Sequence, residues 1–474
     1  MPFKNHELIN INDLDKMDYI ECKDLYSKHI NSAKADLLQK FISSRQMIDR
    51  AEGATIYTKT NEKILDCTGG YGVLNHGHNH PRILSARKRV LEEKRMEINK
   101  NFFSPALVAL SHNMSKILED NLDLSFFPNS GSESIDVAVR LCLLKSEIEK
   151  TNKKVFLVSD RAFHGKSLLA QALSFSDENS IKLPSNVEIE KYEFNELESL
   201  KKYSSRNDIA GICIEPFSAS TMTETKLEML YALKQLSIKI SCPLIYDEVY
   251  SGWYKTGSLF NFLQYENPVW PDILCYGKAL GGGKSSISGV SYSSKVFSKI
   301  LNTNKHANFL SSTYYGFYEE TVTAIEAINI LFDENAEEKS NQLSNKIIEI
   351  DKHIKDIGSL YYLKGAGMLW GLFFEKNLIP NFLNRFNNLL PKAIISDKNL
   401  SNKIIAAAIV SYLYREHNIL AGVSFGFNTH IIISLGIMHT DDDINKLREA
   451  IIGISKSNFS DIIFKFIAEN LQSK

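Results

Sequence analysis

Short apolar runs separated by helix-like pieces occupy the middle of this 474-residue chain. "KVFLVSD", "IAGICIEP", "CPLIYDEV" and "DILCYGK" are rich in β-branched residues and end in polar, glycine or proline signals. Unbroken apolar runs of that length suit strands buried on both faces, the environment of a parallel sheet. Between them, segments such as "TKLEMLYALKQLS" carry apolar residues at helical spacing. This alternation predicts an α/β fold whose large domain is built on a mostly parallel central sheet. After about Ile330 the texture changes to a charged helix-prone stretch, then "MLWGLFFE", a helix over 403–416 and "HIIISLGIM", which predicts a smaller α+β C-terminal domain. The expected division is 1–60 as an N-terminal arm or part of the small domain, 61–330 as the large domain and 331–474 as the small one. The Asn-rich piece over 379–403 reads as an irregular excursion.

Charge excludes several classes of partner. Fifty-five basic and fifty-six acidic residues leave a net charge of −1, so no long-range field favours nucleic acid or an anionic membrane. The N-terminus mixes acids and bases without an apolar core, and nowhere do eighteen apolar residues run together. These features predict a cytoplasmic protein. Six scattered cysteines, with no CxxC pair, predict buried thiols rather than a disulfide or zinc framework.

"DILCYGKALGGGKSS" closes an apolar strand with Lys278. Ligands of α/β sheets bind outside the carboxyl ends of the strands, so this lysine stands where a ligand belongs. A nucleotide phosphate loop fails on spacing: if Gly283-Lys284-Ser285 ended GxxxxGK[ST], the opening glycine would fall at 278, which is lysine. A Schiff base fits better, because an amine whose charge is disfavoured is partly neutral and attacks an aldehyde carbon. Pyridoxal 5'-phosphate offers that aldehyde, and it demands a carboxylate against its ring nitrogen and a cradle for its phosphate. Asp247, at the end of "CPLIYD", is the candidate carboxylate. Ser130, Gly131 and Ser132, leading into the helix-like "IDVAVRLCLL", are the candidate cradle, since small residues at a helix N-terminus let backbone N–H groups meet an anion.

"YDEVYSGWYKTGSLF" followed by "PDILCYGKALGGG" closely resembles the signature of the class III pyridoxal-phosphate aminotransferases, the ornithine, GABA and putrescine transaminase group of fold type I. "LDCTGGYGVLNHGHNHP", "FFPNSGSESIDVAVRLC", "RAFHGKSLLAQALS", "GICIEP", "LSSTYYG" and "KGAGMLWGLFFE" follow in the family's order, and the resemblance extends from about Lys34 onward. The piece over 33–58 looks most like the subgroup attached to polyketide or prodigiosin-type pathways.

The resemblance implies that Lys278 forms the Schiff base and shuttles protons, and that Asp247 pairs with the pyridinium. Ser130, Gly131 and Ser132 take the phosphate, Phe163 of "AFHG" stacks on the ring, and His164 beside it belongs to the cofactor site. Glu215 is the acid beside the cofactor, and Tyr250 stands near its phenolic oxygen. Tyr71 faces substrate, with Lys166 a further candidate substrate residue. Thr313 reaches the phosphate of a neighbouring subunit, which implies a homodimer with sites at its interface. His78 and His80 in "HGHNHP" look like a metal pair, but the family uses this stretch as a packed turn, so no metal is expected.

Two departures from the family bear on substrate. Relatives that handle keto acids carry an arginine in a C-terminal strand to clamp a carboxylate; here Ile432 occupies that position. Recognition then either moves elsewhere, with Lys166 and Lys364 as candidates, or the acceptor is apolar. The usual Asn-Pro after the threonine motif is replaced by Phe317-Tyr318. The implied reaction is a ping-pong transfer of an amino group from an amine donor to a carbonyl acceptor. Other pyridoxal-phosphate reactions on the same scaffold, an aminomutase or a racemase, and a non-catalytic interaction protein are the alternatives.

Overall fold

The computed structural model describes residues 8–41, 46–175, 187–301, 304–306, 308–375, 398–424, 427–457 and 459–472. Its main feature is a seven-stranded sheet formed, in chain order, by β1 Leu124–Phe126, β2 Val155–Ser159, β3 Glu188–Tyr192, β4 Ile209–Ile214, β5 Leu244–Asp247, β6 Ile273–Tyr276 and β7 Gly289–Tyr292. Their spatial order is β1-β7-β6-β5-β4-β2-β3. Pairs β2–β3, β2–β4, β4–β5 and β5–β6 are parallel, and only β7 runs against its neighbours β6 and β1. The mixed α/β architecture with a mostly parallel sheet matches the expectation from the apolar runs. Every residue of β2, β4, β5 and β6 is buried, the condition those runs require.

Helix α1, Gly131–Ile148, lies against this sheet. Ser130 caps it by accepting the Glu133 backbone N–H, and Ile135, Val137, Ala138, Leu141 and Cys142 are buried along it. The cap sets where the helix begins, and the buried face sets which way its N-terminus points.

A second, fully antiparallel sheet has the order β8-β9-β11-β10, from β8 Tyr361–Ala366, β9 Leu369–Phe374, β10 Gly422–Ser424 and β11 His430–Ser434. A further sheet joins strands Ile48–Glu52, Thr55–Thr58 and Lys63–Asp66 to Ile419–Leu420, so the strand just after the N-terminal arm shares backbone hydrogen bonds with the C-terminal region. One apolar cluster runs from Leu157, Ile212 and Leu244 through Trp253 and Phe260 to Leu372, Ile431 and Ile433. The two larger sheets are therefore held by a continuous core, which keeps the rim between them in one geometry. The helix expected at 403–416 spans Lys398–His417. Most of the Asn-rich excursion, 379–397, lies outside the described residues.

Among the described residues, no helix is long and apolar enough to cross a membrane. All six cysteines are free and five are buried. His78 bonds Asp66 at 2.8 Å and His80 bonds Glu334 at 3.0 Å. The two histidines thus serve different partners within the fold.

Candidate active site

The carboxyl ends of β4, β5 and β6 bring the charged groups to one rim. Glu215 follows β4 directly, Asp247 ends β5, and Lys278 stands two residues past β6. Asp247 is in register with Cys275 on the neighbouring strand. Adjacent strands lie about 4.8 Å apart, so residues just past their ends converge on a small volume.

Lys278 is held at φ +45°, a left-handed conformation that costs a non-glycine residue energy and is kept only where surroundings impose it. Its Nζ stands 3.4 Å from the centre of the Tyr250 ring. Burial lowers the pKa of the amine to about 8, although the negative charges of Asp247 and Glu215 pull the other way. At pH 7 about a tenth of such a group is neutral, roughly 300 times the fraction for an ordinary lysine.

Asp247 is fixed from two sides. Its Oδ2 meets His164 Nδ1 at 2.7 Å, and its Oδ1 accepts the Val249 backbone N–H at 3.0 Å. A carboxylate only accepts, so the His164 proton sits on Nδ1. Burial works against a charge on His164, but Cys213, whose sulfur is 3.9 Å from Nδ1, and the Asp247 carboxylate outweigh it and raise the pKa. Glu215 accepts the Phe163 backbone N–H at 3.0 Å, and burial pushes its carboxyl up to about 7. The Phe163 side chain is 48% exposed, leaving one aromatic face open beside these groups.

The segments around these residues pack closely. A Cβ on Gly131 would stand 2.5 Å from Val249 Cγ1, and one on Gly277 would stand 3.7 Å from the Gly131 backbone. The N-terminus of α1, the turn after Asp247 and the turn carrying Lys278 thus touch one another, and at Gly131 no side chain would fit. Ser132 Oγ accepts the Lys166 backbone N–H at 3.1 Å, and Ser288 Oγ donates to the Ser130 carbonyl at 2.8 Å. The Lys166 side chain is exposed.

Gly69, Gly70, Tyr71 and Gly72 all have positive φ, from +52° to +94°. This tight turn presses on Tyr250, whose ring a Cβ on Gly72 would strike at 2.1 Å. It also leaves the Tyr71 side chain 54% exposed, against the backbone of Gly422. Gly422 pairs with Ile432, Ile432 with Gly371, and Gly371 with Lys364, so these residues form one row across the second sheet. Ile432 is buried with Phe217, Met222, Leu369 and Phe373, and Tyr250 packs against this cluster. Lys364, at the far end of the row, bonds Thr223 Oγ1. Thr313 is exposed in the single chain, and no hydrogen bond among the described residues joins it to the Lys278 rim.

Two buried ionisable groups escaped the sequence analysis. Glu248, beside Asp247, points away from the rim and accepts the Ser251 hydroxyl and the backbone N–H groups of Asn261 and Phe262. Burial pushes its carboxyl up to about 7. It holds the loop that follows Tyr250, and the alternation of side chains at a strand end was the signal that separates it from Asp247. The other is Lys255, fully buried in that same loop.

A phosphorylated aldehyde cofactor fits this arrangement. The amine, a carboxylate bonded to a histidine, a helix N-terminus of small residues and an open aromatic face lie at one rim. The buried Tyr250 hydroxyl has no hydrogen-bond partner, so a polar group is available there for a ligand.

Comparison with known proteins agrees. The ornithine aminotransferase of Toxoplasma gondii superposes with a TM-score of 0.75 at 18% identity, covering 98% of this chain and 100% of its own. A transaminase from the marine bacterium Virgibacillus gives 0.77 at 18% identity, covering 96% and 100%. A pyridoxamine-phosphate-bound aminotransferase from Vibrio fluvialis gives 0.73 at 19% identity, covering 90% and 93%. At such identities these likenesses establish the fold. The family model described as Aminotransferase class-III matches residues 41–393, about three quarters of the chain. This protein therefore belongs to the class III aminotransferases, fold-type I enzymes whose cofactor is pyridoxal phosphate.

Proposed function

We propose that the protein transfers an amino group from a small amine donor to an apolar carbonyl acceptor, the two entering in turn, within a homodimer. The observation that carries the choice of acceptor is the burial of Ile432 among Phe217, Met222, Leu369 and Phe373, against Tyr250. No cation occupies the position at which keto-acid enzymes of this family clamp a carboxylate. The nearest candidate in the same row, Lys364, is two strands away, roughly 10 Å at ordinary strand spacing.

The bound cofactor supplies an aldehyde to carry the amino group and a protonated ring to accept the electron pair released at the substrate carbon. Lys278 would supply the amine that holds the cofactor and, when free, would move the proton at the substrate carbon. Asp247 would stand against the ring nitrogen, with His164 and the Val249 N–H keeping that side chain oriented. Ser130, Gly131, Ser132 and the N-terminus of α1 would hold the phosphate. Phe163 would stack on the ring, with Glu215 anchoring its backbone. Tyr250 would stand near the phenolic oxygen, Tyr71 would border the substrate space, and Thr313 would serve the phosphate of the second subunit.

The test compares kcat/KM for a medium-chain aldehyde and for pyruvate in the wild type, Ile432→Ala and Ile432→Arg. The wild type favours the aldehyde, and the alanine variant loses about tenfold on it, the worth of one apolar contact surface. The arginine variant gains about 10- to 100-fold on pyruvate, as expected for a charge-assisted bond. A wild type that prefers pyruvate, with Ile432→Arg unchanged, contradicts the assignment of an apolar acceptor.

A further inference from the structure

A second lysine lies behind the first. Lys255 is 0% exposed. Its Nζ donates to the Leu435 carbonyl at 2.6 Å and to Ser434 Oγ at 3.3 Å, and its own carbonyl accepts the Met368 N–H at 2.8 Å. Two acceptors satisfy the two N–H bonds of a neutral amine. Among the described residues no carboxylate stands within ion-pair distance, and the third N–H of an ammonium finds no acceptor. A buried amine so placed is expected to stay neutral.

The two lysines are joined through Ser434, which is fully buried, and Tyr250, which is half-buried. Ser434, which receives the Lys255 N–H, also lies beside the Tyr250 hydroxyl, without completing a hydrogen bond to it. The Tyr250 ring in turn lies 3.4 Å from Lys278 Nζ. Lys255 and Ser434 are both fully buried, so charge on either amine is only weakly screened from the other.

We propose that Lys255 is a positioning residue for Lys278: the fully buried amine and the partly buried one form a coupled pair, linked across Ser434 and Tyr250, that do not carry protons together. The proposal rests on the reading of Lys278 as the amine that attaches the cofactor. The charged groups around the pair set which amine is protonated. Lys278 faces Asp247 and Glu215. Lys255 faces Lys278, Asp66 and His76. Asp66 is engaged by Thr68 and His78, and His76 is buried and neutral, its pKa lowered to about 4. Burial, reinforced by repulsion from Lys278, lowers the pKa of Lys255 to about 7. A single proton therefore resides on Lys278, beside the carboxylates. When Lys278 loses its proton, the repulsion disappears and Lys255 becomes easier to protonate. Coupling of this kind is reciprocal, so removing one charge raises the pKa of the other amine.

The test follows the acetylation of Lys278 by acetic anhydride against pH, quantified by mass spectrometry on the full-length protein freed of cofactor. Lys255→Met replaces an amine that is already neutral where Lys278 titrates and leaves the Lys278 midpoint within about 0.2 of a unit, whereas Lys255→Arg makes the charge permanent and moves the midpoint down by about half a unit or more. A midpoint that the arginine leaves unmoved or raises, or that the methionine moves as far as the arginine does, overturns the pair. A thermal melt establishes that each variant is folded, and if the methionine variant is not, the arginine variant decides by the sign of its shift. A second arm measures the pH midpoint of the visible absorbance of the cofactor-loaded protein, which follows the same directions. If acetylation shifts as stated while the absorbance does not, the coupled pair stands and the assignment of Lys278 as the attachment point falls.

Discussion

Lys278→Ala loses the visible absorbance of an attached cofactor and falls in turnover by about 10³-fold or more, while the fold survives. The strained backbone at φ +45° aims the side chain across the Tyr250 ring. The amine does two jobs there. It gives the cofactor a covalent anchor, and after release it is a base within reach of the substrate carbon. Positioned general acid–base groups contribute about 10²- to 10⁴-fold, and the activated anchor adds to this. Because Lys278 is only partly buried and has no carboxylate bonded to it among the described residues, truncation leaves no orphaned ion. Far-UV circular dichroism and the melting temperature therefore stay near wild type. Small primary amines added to the solvent restore part of the proton transfer without restoring the covalent attachment. Retention of a tenth or more of the wild-type turnover would remove Lys278 from the chemistry.

Asp247→Asn separates electronics from attachment. The cofactor still binds and still joins Lys278, but turnover falls about 10²- to 10³-fold. An amide cannot hold a ring nitrogen in its protonated state, and the electron pair released at the substrate carbon then has a poorer acceptor. The loss corresponds to about 3 to 4 kcal/mol in the barrier, the scale on which breaking one buried charge pair is felt. His164 amplifies the effect, because its Nδ1–H, 2.7 Å from Asp247 Oδ2, loses a carboxylate partner inside the protein. The measurement is single-turnover kinetics with an amine donor, followed by absorbance. A variant that keeps wild-type single-turnover rates would show that Asp247 serves only to orient His164.

What the sequence made legible was local. The apolar runs exposed β2, β4, β5 and β6, and their polar ends located Asp247 and Lys278, because a buried parallel strand must be apolar throughout and a ligand rim begins where it stops, whereas Glu215 came from the family resemblance. The helix N-terminus at Ser130, Gly131 and Ser132 was legible for the same reason, since small polar residues before an apolar helix are a local pattern. What escaped was decided by contacts distant in the chain. The bond between His164 and Asp247 links residues 83 positions apart. Lys255 meets Ser434 across 179 positions, in a loop where a lysine reads as solvated. The pairing of Ile419–Leu420 with Lys63–Asp66 is likewise non-local, and nothing in either short segment signals the other. Ile432 was singled out by resemblance, but the row that sets it between Gly371 and Gly422 emerges only from strand register.

The account stands on one covalent bond. Sodium borohydride reduction of the cofactor-loaded protein, followed by proteolysis and mass spectrometry, locates that bond directly. The account predicts a phosphopyridoxyl group on the peptide containing Lys278 and none on the peptide containing Lys255. Label on Lys255 or another lysine in its place, or a loaded protein that acquires no label, would contradict it.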